Sequence, residues 1–497
     1  MNKPYEFSDN SGSFIFPSAD KIKTLYLPLC NKALMSSLSP DLHGDIKSGQ
    51  DSFLMPPASR IDLSESKASR NFWIYLDENK IWPITKTSDS DFDLEAGLLW
   101  QKASRKNKKL GLKAEILSFI PSTGEPVEIM QVKITNLTGK KVRFVPTAAI
   151  PIYARGANNI RDHRHVTSLL QRVILNEYGV ISKPTLLFDE SGHKPNKNYY
   201  FVLGWDEKGS APQYLYPTQE VFCGEAGDLE SPLSVLNNIL PDKRSIQGRE
   251  AMGGLRFSQA ILAPNKSYTY TVVMGIAQRL QDINSIVGKF KSQKQVGLFL
   301  NKTKNYWVEK ANKIGIKSGD SDFDNWFKWV AIQPALRKIF GCSFLPDFDY
   351  GKGGRGWRDL WQDCLGLILS EPDEARKILI NNFSGIRIDG SNATVIGKRQ
   401  GEFIADRNNI ARVWMDHGIW PLLALDLYIN ETGDFNILFE KTGYFCDQHI
   451  WRSRKINADW NDNFGNKLKI SSGKIYRGTI FEHLLIQNLT QFFNVGS

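Results

Sequence analysis

The chain has 497 residues, 41% hydrophobic and 23% charged, with a formal net charge of +10. That length exceeds one ordinary core and predicts about two to four domains. The composition excludes a disordered chain, and no run of about 18 apolar residues marks a membrane-spanning helix.

The opening residues MNKPYEFSDNSG carry no apolar stretch of the signal-peptide kind. Five cysteines, Cys30, Cys223, Cys342, Cys364 and Cys446, stand singly without a CxxC pair. They support neither a zinc ribbon nor a disulfide framework and predict a reducing, cytoplasmic setting. Basic residues are interleaved with acidic ones, and the densest run, 102–109, is short. The charge therefore reads as a solvated surface, and neither nucleic acid nor membrane is expected as a partner. Thirteen Trp and sixteen Tyr offer faces that stack on sugar rings as readily as they fill cores.

Taken in chain order, the first 275 or so residues read as β. Met130, Val132 and Ile134 alternate with polar neighbours, the period of a half-buried strand. Turn residues follow at 136–139, and Val142 and Phe144 resume the alternation, which predicts a hairpin. Tyr268, Tyr270, Val272, Met274 and Ile276 mark another strand after the turn at Pro264 and Asn265; shorter β segments fall at 73–76 and 199–203. So many strands predict a large antiparallel sandwich. His163 and His165 lie on an apparent strand, facing the same way, and read as surface or core residues rather than a metal site.

The period changes near residue 280. Ile283, Ile286, Val287 and Phe290 have helical spacing, and 281–314 reads as Lys-rich linker helices. After a break at 319–321, Phe323, Trp326, Phe327 and Val330 share one helix face, with Ser321 or Asp322 as N-cap. Four further stripes follow: Leu360, Cys364, Leu367 and Ile368; Ala375, Ile378 and Leu379, with Pro372 at the start; Ile419, Leu422, Leu423 and Leu427; and Phe481, Leu484, Leu485, Leu489 and Phe492. No regular repeat of the solenoid kind is present, so a closed helical toroid is the expected arrangement.

Three constellations carry candidate chemistry. The first, GKGGRGWRDLWQD at 351–363, is a glycine-rich loop running into a helix, but it lacks the GxxxxGK[ST] spacing of a phosphate loop. Arg358 and Gln362 stand one helical turn apart, as do Asp359 and Asp363, which gathers polar groups at the helix start. A planar fork of donors beside acceptor carboxylates suits a sugar with adjacent hydroxyls; the alternative is a structural cap with an ion pair. The second, WMDHGIW at 414–420, follows ADRNN at 405–409. Asp416 and His417 are an acid/base pair or an N-cap with a local hydrogen bond. The third, ADWND at 458–462, places two acids beside Trp460, either a carboxylate next to a sugar platform or a solvated loop. No HExxH or clustered histidine pattern marks a metal site.

The stretches GGRGWRDLWQD, NNFSGIRIDGSN (381–392) and WMDHGIWPLLALDLYINETGD (414–434) resemble the inverting sugar phosphorylases of glycoside hydrolase family 94. LHGDIKSGQ (42–50), RDHRHVTSLL (161–170) and RSIQGREAMGGLRF (244–257) resemble its long oligoglucan-type members. The resemblance covers nearly the whole chain. It implies a β-supersandwich at 1–280, a helical linker at 281–318, and an (α/α) toroid of which 319–497 is the first half. It also implies phosphorolysis of a β-linked gluco-oligosaccharide to a sugar 1-phosphate with inversion, with inorganic phosphate as co-substrate and no cofactor or metal.

On this resemblance Arg358 and Asp359 match the pair that holds the non-reducing glucose. Gln362, Asp363, Asp416, His417 and Trp420 match the surrounding wall less specifically. The family's catalytic acid lies in a DWND-type motif, which makes Asp462 the candidate in this chain. In the family, however, that motif follows a helix resembling TIFEHLLIQNL (479–489), whereas ADWND precedes it here. The acid is therefore expected beyond Ser497, and the chain is expected to be an N-terminal fragment, inactive alone. Half a toroid leaves apolar helix faces uncovered, which invites pairing as a homodimer. Two alternatives of other classes stand beside this reading: an inverting glycoside hydrolase on the same toroid, which needs a second carboxylate, and a non-catalytic glucan-binding protein.

Overall fold

A computed structural model describes residues 3–19, 25–59, 69–77, 80–85, 91–188, 192–242, 245–340, 355–397, 401–405 and 414–493. The chain divides into two compact units. The first takes the described residues up to 309 and 317–329, the second those within 310–316 and from 330 onward.

The first unit is built on a ten-stranded antiparallel sheet. At its centre Val127–Asn136 pairs with Leu112–Phe119 on one side and Ser267–Ala277 on the other, in the register Met130↔Val272 and Val132↔Tyr270. Side chains alternate across a strand, so Met130, Val132, Ile134, Val202, Val272 and Met274 fall on one face. They pack against Phe72, Ile74, Ala148 and Ile150 of a six-stranded sheet. The intervening Ile129, Leu203, Trp205 and Val273 face the other way. That second face is covered by α1 (Leu280–Phe290) and α2 (Gln293–Ala311) through Ile283, Ile286, Phe290 and Val296. Residues 200–205 and 272–276 are apolar on both faces because both faces are buried there, whereas Val127–Asn136 turns polar on its outer face at Gln131 and the exposed Lys133.

The hairpin expected at 130–144 does not form. Val127–Asn136 lies in the ten-stranded sheet, whereas Val142–Ile152 pairs with Ala251–Arg256 and Asn71–Asp77 in the six-stranded one. The turn between them is an arch that carries the chain across the sandwich. Asn136 holds it, donating from Nδ2 to the carbonyls of Lys140 and Leu262 at 2.8 and 3.0 Å.

The 42–50 segment owes its residues to a close approach. A Cβ on Gly44, at φ +128°, would lie 1.7 Å from the Ser37 carbonyl oxygen. The carbonyls of Leu42 and Gly44 accept from Arg70, whose guanidinium also bonds the Glu128 carboxylate at 2.5 and 2.8 Å. Both charged side chains are fully buried.

His163 and His165 are not on a strand. His163 is the N-cap of the helical turn Arg164–Ser168, and both rings are exposed. Neighbouring polar residues with no apolar alternation have no sheet face to bury. Among the described residues no three His, Cys, Asp or Glu side chains gather as a metal set, and no helix is long and apolar enough to cross a membrane.

Helix α3 (Ser321–Ala331) begins one residue after its cap. Asp320 Oδ1 accepts from the backbone N–H of Asp322 and Phe323 at 2.9 and 3.2 Å, so Asp320 takes the capping role expected of Ser321 or Asp322. Within the first unit α3 meets the N-terminal strands: Trp326 Nε1 lies 2.7 Å from the Tyr5 hydroxyl, and Trp329 Nε1 donates to the Gly12 carbonyl at 2.7 Å.

The second unit is a helical layer of α4 (Gln333–Phe340), α5 (Trp357–Ser370), α6 (Pro372–Phe383), α7 (Ile419–Thr432) and α8 (Ile480–Phe493). Its core joins Trp361, Cys364 and Leu367 of α5, Leu379 and Phe383 of α6, Leu425 and Tyr428 of α7, and Ile480 of α8. The stripes expected on α5 and α6 face this core. Those expected on the last two helices do so only through Leu427 and Leu484. Helix α7 buries Pro421, Ala424, Leu425 and Tyr428, leaving Ile419, Leu422 and Leu423 exposed. Helix α8 buries Ile480, His483 and Gln487, while Phe481, Leu485 and Leu489 stand 47%, 41% and 51% exposed. A helix apolar nearly all round gives its periodicity no single face to choose.

Candidate functional site

The start of α5 sets the site. Residues 351–354 of the glycine-rich loop lie outside the described residues, as do 406–413 of the ADRNN segment and its sequel. A short sheet of Arg355–Gly356, Val395–Ile396 and Phe403–Ile404 leads into α5. Buried Trp357 anchors the first turn: its backbone N–H donates to the Thr394 carbonyl at 2.9 Å, and its indole N–H to the His417 carbonyl at 3.0 Å. The start of α5 is thereby tied to the 3₁₀ turn Met415–His417 just ahead of α7.

Across that junction Arg358 meets Asp416, with Nε to Oδ2 at 2.6 Å and Nη2 to Oδ1 at 3.0 Å. Trp420 Nε1 donates to Asp416 Oδ2 at 3.1 Å, and the guanidinium lies 5.7 Å from the Trp414 ring centre. Partial burial pushes the Asp416 carboxyl up, but the bonds from Trp420 and Arg358 outweigh it and hold it below its ordinary value. Asp416 is thus an ionised partner of Arg358; the N-cap of α7 is Gly418.

His417 is 4% exposed. Burial brings its pKa down from 6.5 to about 4, with Asp416 opposing and Arg358 reinforcing the shift. Its Nδ1 lies 3.1 Å from Asn392 Nδ2. A neutral imidazole accepts that amide hydrogen at Nδ1 and carries its own proton on Nε2. Asn392 also receives Gln487 of α8 at 3.4 Å, and both are buried. Sequence reasoning singled out neither. Asn392 carries no signal that sets it apart from a turn asparagine, and Gln487 is marked only as a polar residue within the apolar run IFEHLLIQNL.

The other expected residues are placed as follows. Asp359, in the first turn of α5, leans back over Gly356, where an added Cβ would lie 2.6 Å from Oδ2. Its carboxylate and Arg358 Nη1 have no hydrogen-bond partner among the described residues. Gln362 is exposed one turn along. Asp363 is drawn to Arg337 of α4 in an ion pair, so it does not join the Arg358 group. Asp462 begins a 3₁₀ turn that precedes α8, and its side chain lies outside the described residues. Arg358, Asp416, His417 and Trp420 are therefore brought together with Trp414, Asp359 stands beside them, and Asp363 is held apart. Among the described residues the group offers an unused donor on Arg358 and an unused carboxylate on the next residue, both at a helix start, donor and acceptor types suited to saccharide hydroxyls.

Sequence profiles of two domains match the chain: the glycosyl hydrolase 94 supersandwich domain over 71–293, and the glycosyl hydrolase 94 superfamily catalytic domain over 306–450. The chain belongs to the glycoside hydrolase 94 superfamily. A cellobionic acid phosphorylase of Neurospora crassa is 19% identical over 67% of this chain and 39% of its own length. An N,N'-diacetylchitobiose phosphorylase of Vibrio furnissii is 20% identical over 76% of this chain and 51% of its own. Its counterpart in Vibrio proteolyticus is 21% identical over 63% and 38%. The family 94 chain thus matches about two fifths to one half of the length of these relatives. The Arg358 group falls within the part matched by the catalytic-domain profile.

Proposed function

We propose that this chain supplies the saccharide-binding part of an inverting phosphorylase acting on β-linked gluco-oligosaccharides. The observation that carries the reading is that Arg358 Nη1 and the Asp359 carboxylate, at the start of α5 in a family 94 catalytic segment, have no hydrogen-bond partner among the described residues. In the reaction, a phosphate oxygen bonds to the anomeric carbon from the face opposite the glycosidic oxygen. The glycosidic bond breaks, and a carboxylic acid gives its proton to the leaving hydroxyl. One protein carboxyl suffices, where an inverting hydrolase needs two.

The Arg358 group binds and orients in this scheme. His417 is buried and neutral, and Asp416 is committed to Arg358 and Trp420, so neither is poised to protonate a leaving group. ADWND lies ahead of α8, against the family's motif order, so we place the acid downstream of Ser497 rather than at Asp462. The parts are a supersandwich at 1–280, linker helices at 281–318 and the first half of a toroid from 319. The remaining toroid would cover Phe481, Leu485 and Leu489; without it, two chains pair through these faces. Phosphate is the sole co-substrate, no cofactor is used, and the protein resides in the cytoplasm.

The test assays the chain with mixed β-linked gluco-oligosaccharides and phosphate, both alone and joined to what the DNA after the Ser497 codon encodes. The expected result is sugar 1-phosphate from the joined protein only. Equal release of free sugar without phosphate would make it a hydrolase. Turnover by the isolated chain that disappears in Asp462→Asn would return the acid to Asp462.

A further inference from the structure

A cavity of about 350 Å³ opens in the second unit between residues 403–405, the segment 445–449 and the loop around Trp460. Its walls are joined by backbone bonds. The Asn457 N–H donates to the Gln448 carbonyl at 2.8 Å, and the Cys446 N–H to the Asn466 carbonyl at 3.0 Å. The loop is thus fixed at both ends to the opposite wall, and the cavity needs no rearrangement to exist. Its volume falls in the range of about 300–1,000 Å³ usual for small-molecule sites.

Trp460 forms one wall. Phe464 stacks on it with ring centres 5.3 Å apart and planes at 21°, which backs one face of the indole and stiffens it. The Trp460 indole N–H and the Gln448 side-chain amide have no hydrogen-bond partner among the described residues. Among the described residues Asn466 makes one long side-chain bond, 3.5 Å to the Gly401 carbonyl. Asp447 also lines the cavity, fixed by paired bonds from Arg387 at 3.1 and 2.7 Å. An acceptor carboxylate on the wall disfavours an anionic ligand. An aromatic platform ringed by amides and one acceptor matches a neutral polyol that has an apolar face.

We propose that this cavity is a pyranose-binding subsite in which a glucosyl ring stacks on Trp460 and its hydroxyls meet Gln448, Asn466 and Asp447. The inference rests on the reading that the chain handles gluco-oligosaccharides, and it gives the ADWND segment a binding role in place of a catalytic one.

The test titrates the full 497-residue chain with methyl β-D-glucopyranoside and with β-linked gluco-oligosaccharides, followed by calorimetry and saturation-transfer NMR. Trp460→Ala is expected to weaken binding about tenfold or more, and Trp460→Phe to retain most of it, because an aromatic face remains. Gln448→Ala, which leaves the stacked pair untouched, is expected to weaken binding several-fold and serves if Trp460→Ala fails to fold. The Trp460-dependent component should persist in Arg358→Ala. Absence of saturable binding by the wild-type chain would overturn the subsite, as would unchanged binding in both Trp460→Ala and Gln448→Ala. Loss of all binding in Arg358→Ala, with none in Trp460→Ala, would do the same. Trp460-dependent binding in a protein that performs no phosphorolysis even when extended would sink the reaction and leave the subsite standing.

Discussion

The Asp416 carboxylate bridges two elements, lying 2.6 Å from Arg358 Nε on α5 and 3.1 Å from the Trp420 indole nitrogen on α7. The side chains of Arg358 and Asp416 are 42% and 36% exposed, so solvent screens the pair and its share of stability is under about 1 kcal/mol. Its role is to aim the guanidinium. Asp416→Ala should leave the urea midpoint nearly unchanged and lower the Arg358-dependent saccharide affinity several-fold in a calorimetric titration. Large destabilisation with unchanged affinity would make the pair a structural brace.

Acid should weaken the second unit through His417. Its folded pKa is depressed from 6.5 to about 4, so between these values the unfolded chain binds a proton that the folded chain refuses. Stability therefore rises with pH across that window and is lost as pH falls from 6.5 towards 4, by roughly 3 kcal/mol at 1.36 kcal/mol per pH unit. Burial lowers His483 as well, with the same sign. Urea midpoints between pH 4 and 7.5 should slope for the wild type and flatten in part for His417→Gln. An unchanged slope in that variant would remove His417 from the account.

The buried Arg70–Glu128 pair should be intolerant of half-removal. Glu128→Gln leaves the Arg70 guanidinium charged without its counter-ion in a site closed to water, a change that costs about 3–5 kcal/mol. Arg70→Lys should also destabilise, since one ammonium cannot serve Glu128, Ser36 and the carbonyls of Leu42 and Gly44 together. Denaturation of the first unit followed by tryptophan fluorescence measures both.

Two glycines make a paired control. Gly44→Ala drives a methyl group to 1.7 Å from the Ser37 carbonyl oxygen at a positive φ, whereas Gly139 has no atom within 4 Å of an added Cβ. The first substitution should cost several kcal/mol or abolish soluble expression, and the second should stay within about 0.5 kcal/mol. Thermal melts of the two variants read the difference directly.

On α8 the tolerant and intolerant positions run against hydropathy. Leu485→Lys should be accepted with little change in the thermal midpoint of the single chain, measured at a concentration too low for pairing, because within the chain that side chain is 41% exposed. His483→Ala should destabilise, because the buried ring lies between the carbonyls of Thr479 and Gly443 at 2.8 and 3.0 Å, donating its one N–H to one of them, and stacks on Tyr444 with ring centres 3.8 Å apart. Similar losses in both variants would contradict the orientation of the helix.

The succession of sheet and then helix is legible because Met130, Val132 and Ile134 keep a period of two, while Leu360, Cys364 and Leu367 keep a helical one. Strand partners are not legible in the same way. The alternation at Val142 and Phe144 is as apt for a strand of the facing sheet as for a hairpin mate, and only the arch at Asn136 separates the two. For the candidate site, the residue types at the start of α5 point to hydroxyl recognition on their own. Which of them converge does not follow from spacing: Arg358 and Asp416 lie 58 residues apart, and Asp363 looks equivalent to Asp359 until Arg337 claims it. Asn392 is indistinguishable in sequence from any turn asparagine, and burial between His417 and Gln487 is what sets it apart.

The position of Ser267–Ala277 between Val127–Asn136 and Tyr199–Asp206 bears on how the chain is made. The ribosome releases the two neighbours first, and the strand that joins them follows Asn136 by about 140 residues. At about 5–20 residues per second, the nascent sheet waits roughly 7–28 s with two open edges in its middle. Unpaired edges of that kind recruit other strands. Holding chaperones, slow translation at low temperature and an intact message through residue 277 should therefore govern the soluble yield more than any substitution on the finished surface.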